Sequence, residues 1–425
     1  MLLARQKELV TEEVWNIGSS DQRQCYANRV QPLGDHILLG TTRINNDGPH
    51  GLPGSYERGI EVVHVPTGAT VLRDTYGYRG VADFHPQTDT RFLTSFSPSC
   101  KDSCGYSNRL VISAYDAGSE DLEWRRREPD PIDRFQKRTH LVAFPDNVFF
   151  LMAGYDNITQ ITQIDAQGNT VNVTESSDGH LTAAFPYMGR VLMIKESKYR
   201  IRRNLPKLYF GQVHDPATCS EHKADGLGEL EGEIVSFEQG GRQVPPSMFT
   251  LDDHLVVFHP NKGVGLYAGP ELEKVAAAGT HFSFGFPDPA NSYLEEGVLV
   301  MGTRDYRGNS GVVVMDAATM TDEHHLAFAV RDLISVQIID GNIVTNNTHS
   351  ASSTYGINVW GSPTEVLKKL KSDPDSLEPI RHHHMRDVAG ILRMGEETFF
   401  AMGEYDNFCR KPKVKSLRVL KEGRL

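Results

Sequence analysis

The chain has 425 residues, a formal net charge of -11 and 39% hydrophobic residues. An acidic chain is a poor general nucleic-acid binder, because phosphate contact needs a basic face. No apolar run reaches the roughly 18 residues of a membrane span, and the charged N-terminal stretch lacks the apolar core of a signal peptide, so the expected location is cytoplasmic, away from membranes. Five cysteines are then expected as thiols. Cys100 and Cys104 have no second pair at zinc spacing.

In chain order, residues 8–15 read first as a strand with no partner nearby. Eight pairs of apolar strands follow: 36–40 with 59–65, 91–95 with 109–114, 148–152 with 161–164, 191–194 with 207–211, 254–258 with 263–267, 298–301 with 311–315, 342–345 with 356–360, and 398–402 with 414–419. An inner strand precedes each pair, as at 81–86, and an outer strand follows it, as at 69–73. The last pair has no outer strand before Leu425. Units spaced roughly 42 to 64 residues apart match four-stranded propeller blades. The expectation is an all-β fold: one β-propeller domain over 1–425, with the N-terminal strand completing the last blade and removing two exposed edges. Eight blades are favoured; the long, irregular stretch 212–250 keeps seven as the alternative. Insertions are expected at 43–58 and 361–380. The second holds a short helix over 363–371 with Val366, Leu367 and Leu370 on one face.

Phe84-His-Pro-Gln-Thr-Asp89 and Phe144-Pro-Asp-Asn147 resemble the inner-strand turns of the β-propeller superfamily. The resemblance is to an architecture, since Trp-Asp repeat endings, kelch double glycines and sialidase-type aspartate boxes are missing. Fold alone does not imply function.

Three segments read as copies of one another: 139–146, 179–186 and 280–288, each a histidine, an apolar run and a proline. In a propeller, inner-strand starts and the loops between the middle strands reach one rim of the central channel. His140, His180 and His281 are therefore expected at equivalent positions, as bases or as ligands of a divalent metal, the candidate cofactor. This resembles the carotenoid-oxygenase propellers, which hold iron with four inner-strand histidines. The resemblance implies a His-ligated metal oxygenase, with His384 near the fourth place. Strand-end capping is the plain alternative for all of these histidines. The triplet His382-His-His384 is expected just before the last inner strand.

Arginines make the second group. Arg79, Arg138, Arg304, Arg331 and Arg386 are expected at the rim as anion clamps, and Lys198-Tyr-Arg-Ile-Arg-Arg203 falls in one middle loop. Tyr155, in Gly154-Tyr-Asp-Asn157, is the candidate proton donor, with an ordinary turn as its alternative. Together these residues describe a funnel for a small anionic ligand or carbohydrate. With a uronate-containing substrate, lyase- or hydrolase-type chemistry follows: histidine as base, tyrosine as acid, arginine against the developing enolate-like charge. That rim composition resembles the polysaccharide-lyase propellers. The competing expectation is a non-catalytic scaffold that binds a protein segment through the two insertions.

Overall fold

The structure is a computed structural model. It describes residues 9–16, 26–45, 55–78, 82–96, 111–127, 135–154, 158–197, 208–215, 217–218, 220–225, 227–228, 230–231, 233–237, 240–244, 246–259, 263–278, 286–304, 310–317, 327–330, 332–347, 356–385, 387–406, 411–422 and 425.

The fold is a β-propeller of eight four-stranded antiparallel blades. In several blades the second strand carries a continuous apolar run rather than an alternating one, as in His36–Asn45, Asn147–Gly154 and Arg190–Glu196. A sheet covered on both faces selects for that pattern. In blade 1, Ile37, Leu38 and Leu39 are all fully buried. Outer strands alternate instead: on Thr170–Ser176, Val171 and Val173 face outwards and Ser176 is buried.

By contacts the chain forms two compact units. One holds blades 1, 2, 7 and 8. Blade 1 is Tyr26–Leu33, His36–Asn45, Ser55–His64 and Ala69–Tyr78; blade 2 is Ala82–Pro86, Arg91–Phe96, Val111–Asp116 and Asp121–Arg127. Blade 7 is Leu333–Ile339, Asn342–Asn347, Gly356–Val359 and Arg381–His383. Blade 8 is Val388–Met394, Glu397–Asp406 and Lys411–Glu422, and its fourth strand is the N-terminal Val10–Asn16, paired antiparallel from Val10 opposite Glu422 to Asn16 opposite Ser416. This is the closure expected from the sequence. Trp15 packs there with Phe399, Leu417, Ile37 and Val63.

The second unit holds blades 3 to 6. Blade 3 is Phe135–Ala143, Asn147–Gly154, Thr159–Asp165 and Thr170–Ser176; blade 4 is His180–Tyr187, Arg190–Glu196, Leu208–Asp215 and Ser220–Lys223. Blade 5 is Ser247–Leu251, His254–His259, Gly263–Ala268 and Glu273–Ala278; blade 6 is Phe286–Glu295, Val298–Arg304, Ser310–Asp316 and Ala327–Ala329. The irregular stretch resolves into the end of blade 4, a short strand Leu230–Glu231 against its third strand, and a separate hairpin, Glu233–Phe237 with Gly240–Val244. It adds no blade, so the count is eight.

The helix spans Pro363–Ser372 and starts with a capping box: Ser362 N–H donates to Glu365 Oε2 at 3.1 Å, and Glu365 N–H to Ser362 Oγ at 3.3 Å. Val366, Leu367 and Leu370 are buried, as their spacing predicts. The histidine triplet stands just before the inner strand of blade 8, Val388–Met394. Arg381–His383 is the outer strand of blade 7, and His382 Nδ1 meets Asn358 Oδ1 at 2.9 Å within that blade.

The two ends of the blades differ. First and second strands join by tight turns, and in six blades the first turn residue has a left-handed φ: Gly34, Met188, Asp252, Glu296, Asp340 and Gly395. Such turns match the right-handed twist of the strands. Gly34 is also pressed against the Asp89 carbonyl of blade 2, where a Cβ would collide. Gly34→Ala is therefore expected to cost about 1–3 kcal/mol, measurable by chemical denaturation. These turns, with the turns joining third and fourth strands at the same end of each blade, carry exposed carboxylates: Asp35, Asp89, Glu120, Asp340 and Glu396 in the first unit, and Asp146, Asp252, Asp253, Glu271 and Glu296 in the second. The longer connections, such as 97–110 and 197–207, leave from the opposite end.

Candidate functional site

Blade 4 supplies the best-defined site at that opposite end. Its first strand begins at His180, which stands opposite Glu196. Glu196 in turn stands opposite Tyr209 of the third strand. One step further, Ser197 N–H donates to the Leu208 carbonyl at 2.8 Å. That bond closes the base of segment 198–207, whose sequence carries Lys198, Arg200, Arg202, Arg203 and Lys207 and no carboxylate. Residues 198–207 lie outside the described residues.

Local packing explains why the strand starts where it does. Gly179, at φ +89°, lies so close that a Cβ would stand 2.7 Å from the Glu196 carbonyl oxygen and 3.1 Å from the Phe210 ring. Only glycine lets the incoming chain turn against that ring. Lys223 Nζ covers the Phe210 ring at 5.0 Å from its centroid, a cation–π contact that brings one more positive charge to this end.

His140 and His180 do not occupy equivalent positions. The two-residue turn joining first and second strands is closed by Phe144 N–H to the Asn147 carbonyl in blade 3 and by the Tyr187–Arg190 pair in blade 4. Counted from that turn, His140 is on the fifth rung, opposite Leu151, and His180 on the seventh, opposite Glu196. A bulge at Thr182 takes up one residue of the longer blade 4 strand. Two rungs correspond to about 7 Å along a strand. The expected convergence of the copied segments therefore fails for this pair: Pro145 sits in the blade 3 turn, while Pro186 is inside the blade 4 strand. Both histidines are half-buried.

The other expected site residues are less accessible to description. Arg138 and Arg304 belong to described strands, Phe135–Ala143 and Val298–Arg304, by their backbone. His281, Tyr155, Arg79, Arg331 and Arg386 lie outside the described residues. Among the described residues, no group of three or more His, Cys, Asp or Glu side chains is arranged to hold a metal ion.

A buried charged network below this mouth was not foreseen. Lys195 is fully buried and its Nζ donates to Ser176 Oγ of blade 3. Ser176 Oγ bonds Gln212 Oε1 at 3.3 Å, and Gln212 Nε2 donates to Glu221 Oε2 at 2.9 Å. His214 Nδ1 lies 3.6 Å from Glu221 Oε1. Burial pushes the Glu221 carboxyl up, but bonding to His214 and Ser176 and the Lys195 charge outweigh it and hold it below the usual carboxylate range. The network ties blade 3 to blade 4. Its signal in the sequence is strand alternation: Val191, Met193 and Lys195 share one inward face, so the lysine occupies a core position.

Similar polar ties join other blades. Tyr115 Oη donates to Asp74 Oδ2 at 2.6 Å between blades 2 and 1, and Arg125 bonds the same carboxylate. Between blades 4 and 5, Tyr187 Oη donates to the Gly269 carbonyl at 2.9 Å. Burial and the charge of Asp253 push that phenol up to about 12, so it remains a donor.

Solved structures similar to this chain are propellers. They include the Dos1 propeller, at 10% identity over 97% of this chain and 95% of that one, with a TM-score of 0.49. The β-propeller domain of the Trilobed protease from Pyrococcus furiosus is 11% identical over 79% of this chain and 92% of that one, with a TM-score of 0.46. BamB from Moraxella catarrhalis is 10% identical over 96% and 99%, with a TM-score of 0.44. At such identities the likeness concerns the fold and not the site. No protein-family model matches the chain, and no curated protein matches it.

Proposed function

We propose that this propeller is a binding module for an anionic ligand, taken at the mouth of blade 4. One observation carries the reading: His180 stands a single rung from the hydrogen-bonded pair that opens and closes a segment with five cations and no carboxylate. Guanidinium groups bind carboxylate, sulfate or phosphate through paired donors. The exposed carboxylates on the tight turns sit at the other end of the blades, so they do not neutralise this mouth. A positive mouth on an acidic body steers an anion inward. A uronate-containing sugar or a sugar phosphate has the right chemistry, with His180 bonding a hydroxyl beside the anionic group. The lyase step expected from the sequence also needs Tyr155, which lies outside the described residues, so the proposal is one of binding.

The test is calorimetric titration with uronate oligosaccharides and sugar phosphates. A variant combining Lys198→Gln, Arg200→Gln and Arg202→Gln is expected to bind about tenfold or more weakly, because each lost charged hydrogen bond is worth about 1.5–3 kcal/mol. Wild-type affinity should also fall as salt rises. Equal affinity in the variant, or no binding by wild type to any member of the panel, overturns the reading in favour of the protein-scaffold alternative.

A further inference from the structure

The seam between blades 1 and 2 holds a pair of histidines that plays no part in the proposed binding site. His36 begins the second strand of blade 1 and stands opposite His64, the last residue of the third strand. Their ring centroids are 5.1 Å apart. His36 is 8% exposed, and its Nδ1 has no hydrogen-bond partner among the described residues. His64 Nδ1 meets Thr67 Oγ1 at 2.9 Å, which links it to the turn Val65–Gly68. The pair lies at the turn end of the blade face that carries Leu38, Ile60 and Val62, and this face packs on Phe92 and Tyr115 of blade 2.

We propose that His36, packed on His64, forms a proton-sensitive catch that is closed while His36 is neutral and is prised open when it is protonated, so that acid loosens the turn end of the seam between blades 1 and 2. A charged imidazole at His36 has lost most of its water and has the His64 ring rather than a carboxylate packed at 5.1 Å. The charges facing His36 come from each packed element: His64 from the third strand, Asp35 from the adjoining turn, and Asp116 and Glu120 from blade 2. The three carboxylates favour the charged imidazole. Burial, followed by the His64 charge, outweighs them and lowers the His36 pKa from 6.5. The sign follows from linkage. A depressed folded value means the unfolded chain takes up the proton more readily. The stabilisation is then fully present above 6.5 and is lost as pH falls through that value towards the folded one.

Hydrogen exchange on the full chain tests this. Protection factors remove the intrinsic pH dependence of exchange, leaving the opening equilibrium. Between about pH 7.5 and about pH 5.5, which bracket the ordinary histidine value, protection of 36–39, 60–64 and 112–116 is expected to fall several-fold, while blades 4 and 5 change little. His64→Gln should flatten this dependence, and His36→Gln should do the same if its neutral amide is accommodated. Unchanged protection across the range in wild type overturns the proposal. So does a full pH response that persists in His64→Gln, which is half-exposed and expected to fold.

Discussion

Trp15→Ala is expected to cost about 3–5 kcal/mol, the range for deleting a buried aromatic side chain. Trp15 is 7% exposed and stands opposite Leu417, within a cluster that includes Phe399, Val419, Ile37 and Val63. Those residues belong to blade 8, blade 1 and the closing strand. Removal of the indole therefore leaves a cavity at the place where the two ends of the chain are joined. Chemical denaturation reads the total loss. Hydrogen exchange should locate it in 397–406 and 411–422, the strands that Val10–Asn16 completes. A loss below about 1 kcal/mol, with blade 8 still protected, contradicts the closure described above.

Glu221→Ala is expected to be the other large effect, at about 3 kcal/mol, the lower end for breaking a buried ion pair. The lower end applies because the Glu221 side chain is 19% exposed. The substitution leaves Lys195 and His214, both of blade 4, without a carboxylate beside the seam with blade 3. Lys195→Met behaves differently. It removes the buried charge and keeps the volume, and Glu221 retains His214 and Gln212. That variant is expected within about 1 kcal/mol of wild type, as found when buried ion pairs are replaced by hydrophobic residues. Equal losses in both variants would mean that the network acts through packing rather than charge. The pH response has a definite sign. Glu221 is held below its ordinary 4.5, so its contribution is present above that value and is lost as pH falls through the folded value. Acid unfolding of Glu221→Gln should start from a lower stability and show a shallower dependence in this range.

The architecture was legible because it rests on features that a sequence displays directly. Apolar second strands such as 191–194 and turn residues such as Gly189 and Gly341 recur once per blade. The unpaired 8–15 segment had one place to go, since the last pair lacked an outer strand. Register was less legible. The copied segments around His140 and His180 look alike, yet a different placement of the prolines relative to the turn, with a bulge at Thr182 partly offsetting it, sets the histidines two rungs apart. A bulge is a property of two paired strands, and one strand's residues do not announce it. The Lys195 network was hidden for a related reason. Its members Ser176, Gln212, His214 and Glu221 come from three strands of two blades, and each alone reads as an ordinary polar residue. The helix insertion delays the outer strand of blade 7, so Arg381–His383 stands just ahead of the inner strand of blade 8, which is all that the sequence reading of the histidine triplet assigned.

Ligand-dependent hydrogen exchange is the most direct test of the mouth of blade 4. With a saturating uronate oligosaccharide or sugar phosphate, slower exchange is expected at 180–181 and across 196–209, with little change at 188–189 or at the Met193 rung nearer the turn. Protection confined to another blade, or to the carboxylate-bearing turns, would contradict an anion site at His180 and the basic segment.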